Sequence, residues 1–234
     1  MQPQRPSLRA ARADALARNG RFAEALADLS AALDMDGDDH FRWYLSACLS
    51  AYLARAEDHA NRSREMLRRF GPAARQEIAE RTAKAAVLLP GAVEASEALR
   101  LADRAVETCT VEQYLPFFLI TKGMAEYRAA RYDAAVASLT AGRDRLVQWR
   151  VDESFHSVVA TADYFLAMAH RRAGRDPQAR DAFRRAEQRV RSNVPAAGAG
   201  YLRGAVENWL ICQTARREAE ALLGADARTG VSGD

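Results

Sequence analysis

The chain has 234 residues, a formal charge of +3, 49% hydrophobic and 28% charged residues, a balance ordinary for a folded protein and one that disfavours a nucleic-acid surface, which needs a concentrated basic patch. With 7 prolines and 13 glycines long structureless tracts are excluded, and no apolar run approaches the roughly 18 residues of a membrane span. The start, Met1-Gln2-Pro3-Gln4-Arg5-Pro6, lacks the apolar segment of a secretory signal, so a cytoplasmic protein is expected, away from membranes.

Helical periodicity runs nearly end to end, and its breaks coincide with turn and cap residues, which predicts an all-α chain of about eleven helices. Residues 1–6 read as an N-terminal extension. The first helix pair is expected over 7–18 and 22–34, closed by the acidic run Asp34-Met35-Asp36-Gly37-Asp38-Asp39, whose carboxylates suit the start of the next helix. That run resembles a calcium loop only superficially, because the glutamate that would close it by bidentate ligation is missing. The second pair is expected over 40–53 and 57–69, the third over 74–88 and 94–107 around Leu89-Pro90-Gly91, the fourth over 113–128 and 132–147, and the fifth over 155–172 and 177–191. Asp176-Pro177 suits a helix start. A loop is expected over Ser192–Gly200, followed by a last helix over 201–223 whose Leu202, Ala205, Trp209, Cys212, Ala219 and Leu222 lie mostly on one stripe. Residues 225–234 read as a disordered tail.

Three turns repeat a motif: Asn19-Gly20-Arg21-Phe22, Ala129-Ala130-Arg131-Tyr132 and Ala173-Gly174-Arg175-Asp176. Aligned on them, Ala25, Ala135 and Ala179 precede a larger apolar residue, Leu29, Leu139 or Phe183, and a second small residue follows as Ala32, Gly142 or Ala186. Small and large side chains at fixed offsets let neighbouring helices approach closely. This pattern resembles the tetratricopeptide (TPR) repeat, whose period is about 34 residues. The resemblance implies a TPR-like α-solenoid of about five helix pairs spanning residues 7–224, with the unpaired last helix capping its exposed end. Two features depart from it. Ala54 and Ala130 stand in the column held by Gly20 and Gly174, which implies either another turn geometry or strain, and His59 stands where Ala25 and Ala135 stand.

In TPR stacks the first helix of each pair lines a groove. Projected onto this chain, the resemblance implies a partner-binding surface of Tyr44, Cys48, Tyr52, Ile120, Met124, Tyr127, Arg128, Tyr164, Met168, Arg171 and Arg172. Tyrosine and arginine are common at binding hot spots and methionine adapts to varied ligands, although several of these side chains could equally pack between repeats. The lysine and asparagine pairs of chaperone-binding TPR proteins are missing, which disfavours a co-chaperone role. Further stretches, Ala79 to Pro90 (AERTAKAAVLLP), Trp209 to Leu223 (WLICQTARREAEALL) and Glu65 to Gly71 (EMLRRFG), resemble the C-terminal TPR regions of planctomycete-type bacterial proteins, where such a region follows a Ser/Thr protein kinase domain or a WD-repeat propeller. The kinase loop signatures themselves are missing here.

Catalytic and cofactor motifs are missing too: the sequence holds no phosphate-binding glycine loop, nucleophile elbow or zinc helix. His40, His59, His156 and His170 are dispersed, and Cys48, Cys109 and Cys212 read as small core residues, so neither a metal nor a cofactor site is expected. All cations except Lys84 and Lys122 are arginines, which reflects either compositional bias alongside the many alanines or forks able to grip an acidic partner. The expected function is a non-catalytic scaffold holding a protein or peptide in a concave groove. Alternatives are the regulatory C-terminal segment of a bacterial Ser/Thr kinase and, less favoured, arginine-mediated nucleic-acid binding; self-association by end-to-end stacking is also open.

Overall fold

The computed structural model of the chain describes residues 5–72, 75–149, 155–196 and 201–224. Among these residues lie eleven α-helices: α1 (Pro6–Arg18), α2 (Phe22–Met35), α3 (His40–Tyr52), α4 (Ala56–Phe70), α5 (Gln76–Ala86), α6 (Ala95–Glu107), α7 (Leu115–Arg128), α8 (Tyr132–Gln148), α9 (His156–Arg172), α10 (Asp176–Asn193) and α11 (Val206–Leu223). A 3-10 turn, Glu112–Tyr114, leads into α7. The first ten helices end within two residues of the positions expected from periodicity. Pro6, assigned to the extension, is already the first residue of α1. The expectations for residues 1–4, 197–200 and 225–234 fall outside the described residues.

Four of the five pairs turn in the same way. The residues Gly20, Ala54, Ala130 and Gly174 all take a left-handed backbone, with φ of 76°, 57°, 57° and 74°. Each turn closes with the same backbone bonds: in the second pair Ala54 N donates to Ala51 O at 3.1 Å and Arg55 N to Ser50 O at 2.9 Å, and in the fourth Ala130 N donates to Tyr127 O at 3.1 Å and Arg131 N to Glu126 O at 2.9 Å. These bonds satisfy helix-terminal carbonyls, so the turn is kept even where alanine must be held in a conformation that disfavours a Cβ by about 1–2 kcal/mol. Of the two readings open for Ala54 and Ala130, strain is the one observed. At α3, Asp39 caps as expected, accepting from Phe41 N at 2.9 Å and Arg42 N at 3.2 Å. Asp176 does not cap: it is the first residue of α10 and pairs with Arg171 at 2.7 Å instead.

The small-residue columns are the contact lines between helices. Ala25, Ala32, Ala135 and Ala186 are fully buried and Ala179 nearly so. Gly142 allows a close approach, since a Cβ there would meet the Pro116 carbonyl oxygen at 2.6 Å and Ile120 Cγ1 at 2.8 Å. His59 replaces the small residue of the second pair because its ring has a task. Fully buried, it reaches the α5 C-terminus, where Nε2 lies 2.9 Å from Ala85 O.

The odd-numbered helices form one row, α3 on α5, α5 on α7 and α7 on α9. Helix α11 packs against both α9 and α3. Three interaxial steps of about 9 Å separate α3 from α9 along the row, whereas two helices touching the same third helix lie within about two such steps. The row therefore curves around α11. Sequence reasoning put this helix on the outer edge of the last repeat, beginning near 201. It closes the stack as expected of a terminal helix, yet what it covers is the inner face of the row. The reason is its composition: Trp209, Leu210, Ile211 and Cys212 are buried in succession, so no single outer face of the stack would cover them. Residues 201–205 precede the helix as a strap, held where Leu202 N donates to Arg18 O at 2.7 Å and Arg18 Nη1 to Gly204 O at 2.6 Å. Among the described residues, no helix is long and apolar enough to cross a membrane.

Replacing Ala54 or Ala130 by glycine should raise stability by about 0.5–1 kcal/mol each, the left-handed strain relieved less the extra freedom of the unfolded chain. Gly20→Ala should lose about 1 kcal/mol although nothing lies within 4 Å of its added Cβ, because the penalty is in the backbone. Urea unfolding midpoints check both; destabilisation by both glycine substitutions would contradict the strain. Burial lowers the His59 pKa from 6.5 to about 4. The unfolded chain then binds the proton more tightly, so this contribution is complete above pH 6.5 and is lost as pH falls toward 4, by roughly 3 kcal/mol. In His59→Ala the fall in stability between pH 7 and 4.5, followed by urea unfolding, should be shallower than in the parent; an identical slope would contradict it.

Candidate functional site

Most of the side chains assigned to a partner-binding groove lie beneath α11 or between the helices around it. Ile120 and Met124 are buried and border a small void with Lys84, Val158, Asn208 and Ile211. Tyr52 lies in an aromatic cluster, 4.9 Å from Phe22 and 5.3 Å from Trp209 between ring centroids, with the Arg217 guanidinium 4.4 Å above its ring. Tyr164 and Met168 are wholly buried on α9. The Tyr164 hydroxyl donates to Glu187 at 2.6 Å, and Glu187 also accepts from Arg216 at 2.7 Å, which ties α9, α10 and α11 together. Tyr127 is buried with its ring edge-on to Phe165 at 5.6 Å. Cys48 and Cys212 are buried thiols, as expected, while Cys109 is partly exposed; burial pushes the Cys212 thiol up to about 12, far from a reactive thiolate.

Arg128 joins this set by charge. Its guanidinium grips both oxygens of Glu218 on α11, the Nη2–Oε2 bond measuring 2.6 Å, while Nε donates to Val87 O at 2.8 Å and Nη2 to Leu88 O at 3.0 Å. One fork thus joins α7, the end of α5 and α11, a planar bidentate geometry that lysine could not supply. Arg171 and Arg172 remain exposed at the end of α9, with Arg171 paired to Asp176. Of the projected residues only Arg171 and Arg172 are thus exposed, and the chain's own last helix covers or holds much of the remainder.

Beyond the N-terminal end of α11 the inner face is open among the described residues. There a cleft of about 610 Å³ lies between α3, α5, the start of α7, the end of α8 and the first turn of α11, within the roughly 300–1,000 Å³ usual for ligand sites. Tyr44, buried and among the residues expected from sequence, forms part of its wall. The rest was not expected. Phe117 and Phe155 pack at 5.3 Å between centroids, and Tyr114 and Phe118 at 6.0 Å. Tyr114 and Trp149 stand at the wall 41% and 45% exposed. The polar part comes from Glu77, Glu80, Arg81 and Lys84 on α5 and from Glu207 and Asn208 on α11. Lys84 pairs with Glu80 at 2.5 Å, and Thr121 donates to the same carboxylate at 2.6 Å. Burial raises the Glu207 pKa above the ordinary carboxylate value, against the pull of its own backbone amide and of Lys84, Arg81 and Arg18. The run Tyr114-Leu115-Pro116-Phe117-Phe118 was the available signal: more aromatic rings than one helix face can bury.

A scan against protein-family models finds no match, and a search of curated proteins finds none either, so the likeness to kinase-linked and WD-repeat-linked TPR regions gains no support there. Among solved structures, the chain is similar to PilW, a widely conserved type IV pilus biogenesis factor, with a TM-score of 0.56 and 19% sequence identity over 98% of this chain and 100% of that one. At that identity the similarity shows the fold, a TPR-like stack of helices.

Proposed function

We propose that the chain is a non-catalytic interaction module that holds a segment of a partner polypeptide in the cleft beside α11. The observation that carries this reading is the two half-exposed aromatic side chains, Tyr114 and Trp149, standing at a cleft in the inner face. Exposed rings of this size beside a cavity are typical of recognition surfaces, where large rigid side chains give contact area at little entropic loss. The likeness to a pilus biogenesis factor fits a role in assembling with other proteins. The interface that such a cleft offers is smaller than a standard protein–protein contact, so affinity on the order of micromolar or weaker is expected.

The test is site-specific photocrosslinking in native cells. A photoreactive phenylalanine analogue at position 114 or 149 should trap a discrete partner polypeptide, whereas the same group at Arg180, exposed on α10, should not. Trapping of the same proteins from all three positions, of the chain itself alone, or of nothing would overturn the proposal.

A further inference from the structure

Resting on that reading, we infer that the cleft receives a basic side chain, arginine or lysine, from the partner segment, with the residue beside it packed on the aromatic wall. The charges on the wall are not equally engaged. Lys84 already has Glu80 at 2.5 Å. The Arg81 guanidinium lies 5.4 Å from the centroid of the Phe41 ring, which is not part of the cleft, although Arg81 itself lines it. Glu207 lies in the first turn of α11, where its charge faces the positive end of that helix. Glu207 is thereby left as a desolvated carboxylate for which, among the described residues, no cation comes within ion-pair distance; Lys84, Arg81 and Arg18 act on it only from farther away. Glu77 adds a second carboxylate on the same wall.

The aromatic rings favour the same sign of charge. A cation over the face of a tryptophan, tyrosine or phenylalanine is drawn to the ring's negative quadrupole, more so where water is excluded. Phe117 and Phe155 are partly buried and Trp149 is open to an incoming chain. They and Glu207 line the same cleft, a chemistry suited to a guanidinium or ammonium group, and a volume of about 610 Å³ leaves room for the neighbouring residue. An acidic group entering by the same route would gain Arg81 and would face Glu77 and Glu207.

The probes are three blocked peptides, Ac-Gly-Leu-Arg-Gly-amide and its counterparts with Gln or Glu at the arginine, titrated into the full chain while the Trp149 indole resonance, assigned from Trp149→Phe, is followed by NMR. The arginine peptide should shift that resonance saturably, with the Gln peptide about tenfold weaker and the Glu peptide weaker still. Glu207→Gln should weaken the arginine peptide about fivefold while the chain stays folded, because the amide keeps the shape of a half-buried side chain in the first turn of α11. Equal or tighter binding of the Glu peptide, no response to any peptide, or an arginine peptide indifferent to Glu207→Gln would overturn the inference. Photocrosslinking at 114 and 149 reads out separately: capture there without arginine dependence leaves the proposed function standing and removes only the basic ligand.

Discussion

A helix segment that is apolar around its circumference has to be enclosed, and that requirement shapes this molecule. Along Trp209–Cys212 four successive residues of α11 are buried, and that segment has no solvent face to spare, whereas Arg217 and Ala221 farther along are exposed. Large apolar side chains such as Trp209, Leu210 and Ile211 each contribute roughly 1.5–3 kcal/mol when fully buried. Such a gain is reached only if the odd-numbered helices bend until α3 and α9 both meet α11. The same bend turns the inner side of α9 into interior, and residues Ser157–Ala169 are buried without a break. Repeats that contact only their neighbours need no such closure; here a helix distant in sequence links the second pair to the fifth.

The arginine-rich composition has a visible structural use in that closure. Arg128 joins α7, the α5 terminus and α11. Arg62 donates to Ser50, Ser46 and Ser30 across α2, α3 and α4. Arg143 and Arg185, from α8 and α10, both pair at 3.2 Å with Asp163, a buried carboxylate on α9. Paired in this way a buried aspartate is held, whereas removing either partner would leave charge in a dry site. Several of the forks that could have suggested an acidic partner therefore act between the chain's own helices.

Helix positions, turn chemistry and close-packing columns were legible in the sequence because each is local. Gly20 and Gly174 mark the left-handed turn, and once the alignment placed Ala54 and Ala130 in that column the strain was readable too. The site was less legible because it depends on where α11 goes. Reading Leu202, Ala205, Trp209, Cys212, Ala219 and Leu222 as one stripe passed over Leu210 and Ile211, and those two residues distinguish an enclosed helix from an edge cap. Tyr52, Ile120, Met124, Tyr127, Arg128, Tyr164 and Met168 were assigned to a surface and are instead buried or held by α11 and the helices around it, while Tyr44 walls the cleft. The open cleft draws on Tyr114, Phe117, Trp149, Phe155 and Glu207, from separate elements that only tertiary packing brings together, so no spacing rule could have grouped them.

Amide hydrogen exchange along α11 in the intact chain tests the central claim most directly. Enclosed by the curved row, the amides of residues 210–218 should exchange as slowly as those of α9, through global unfolding alone. Rapid exchange in α11 while α3 and α9 stay protected would show the helix to be a peripheral cover, and the account of a stack closed around its own last helix would be contradicted.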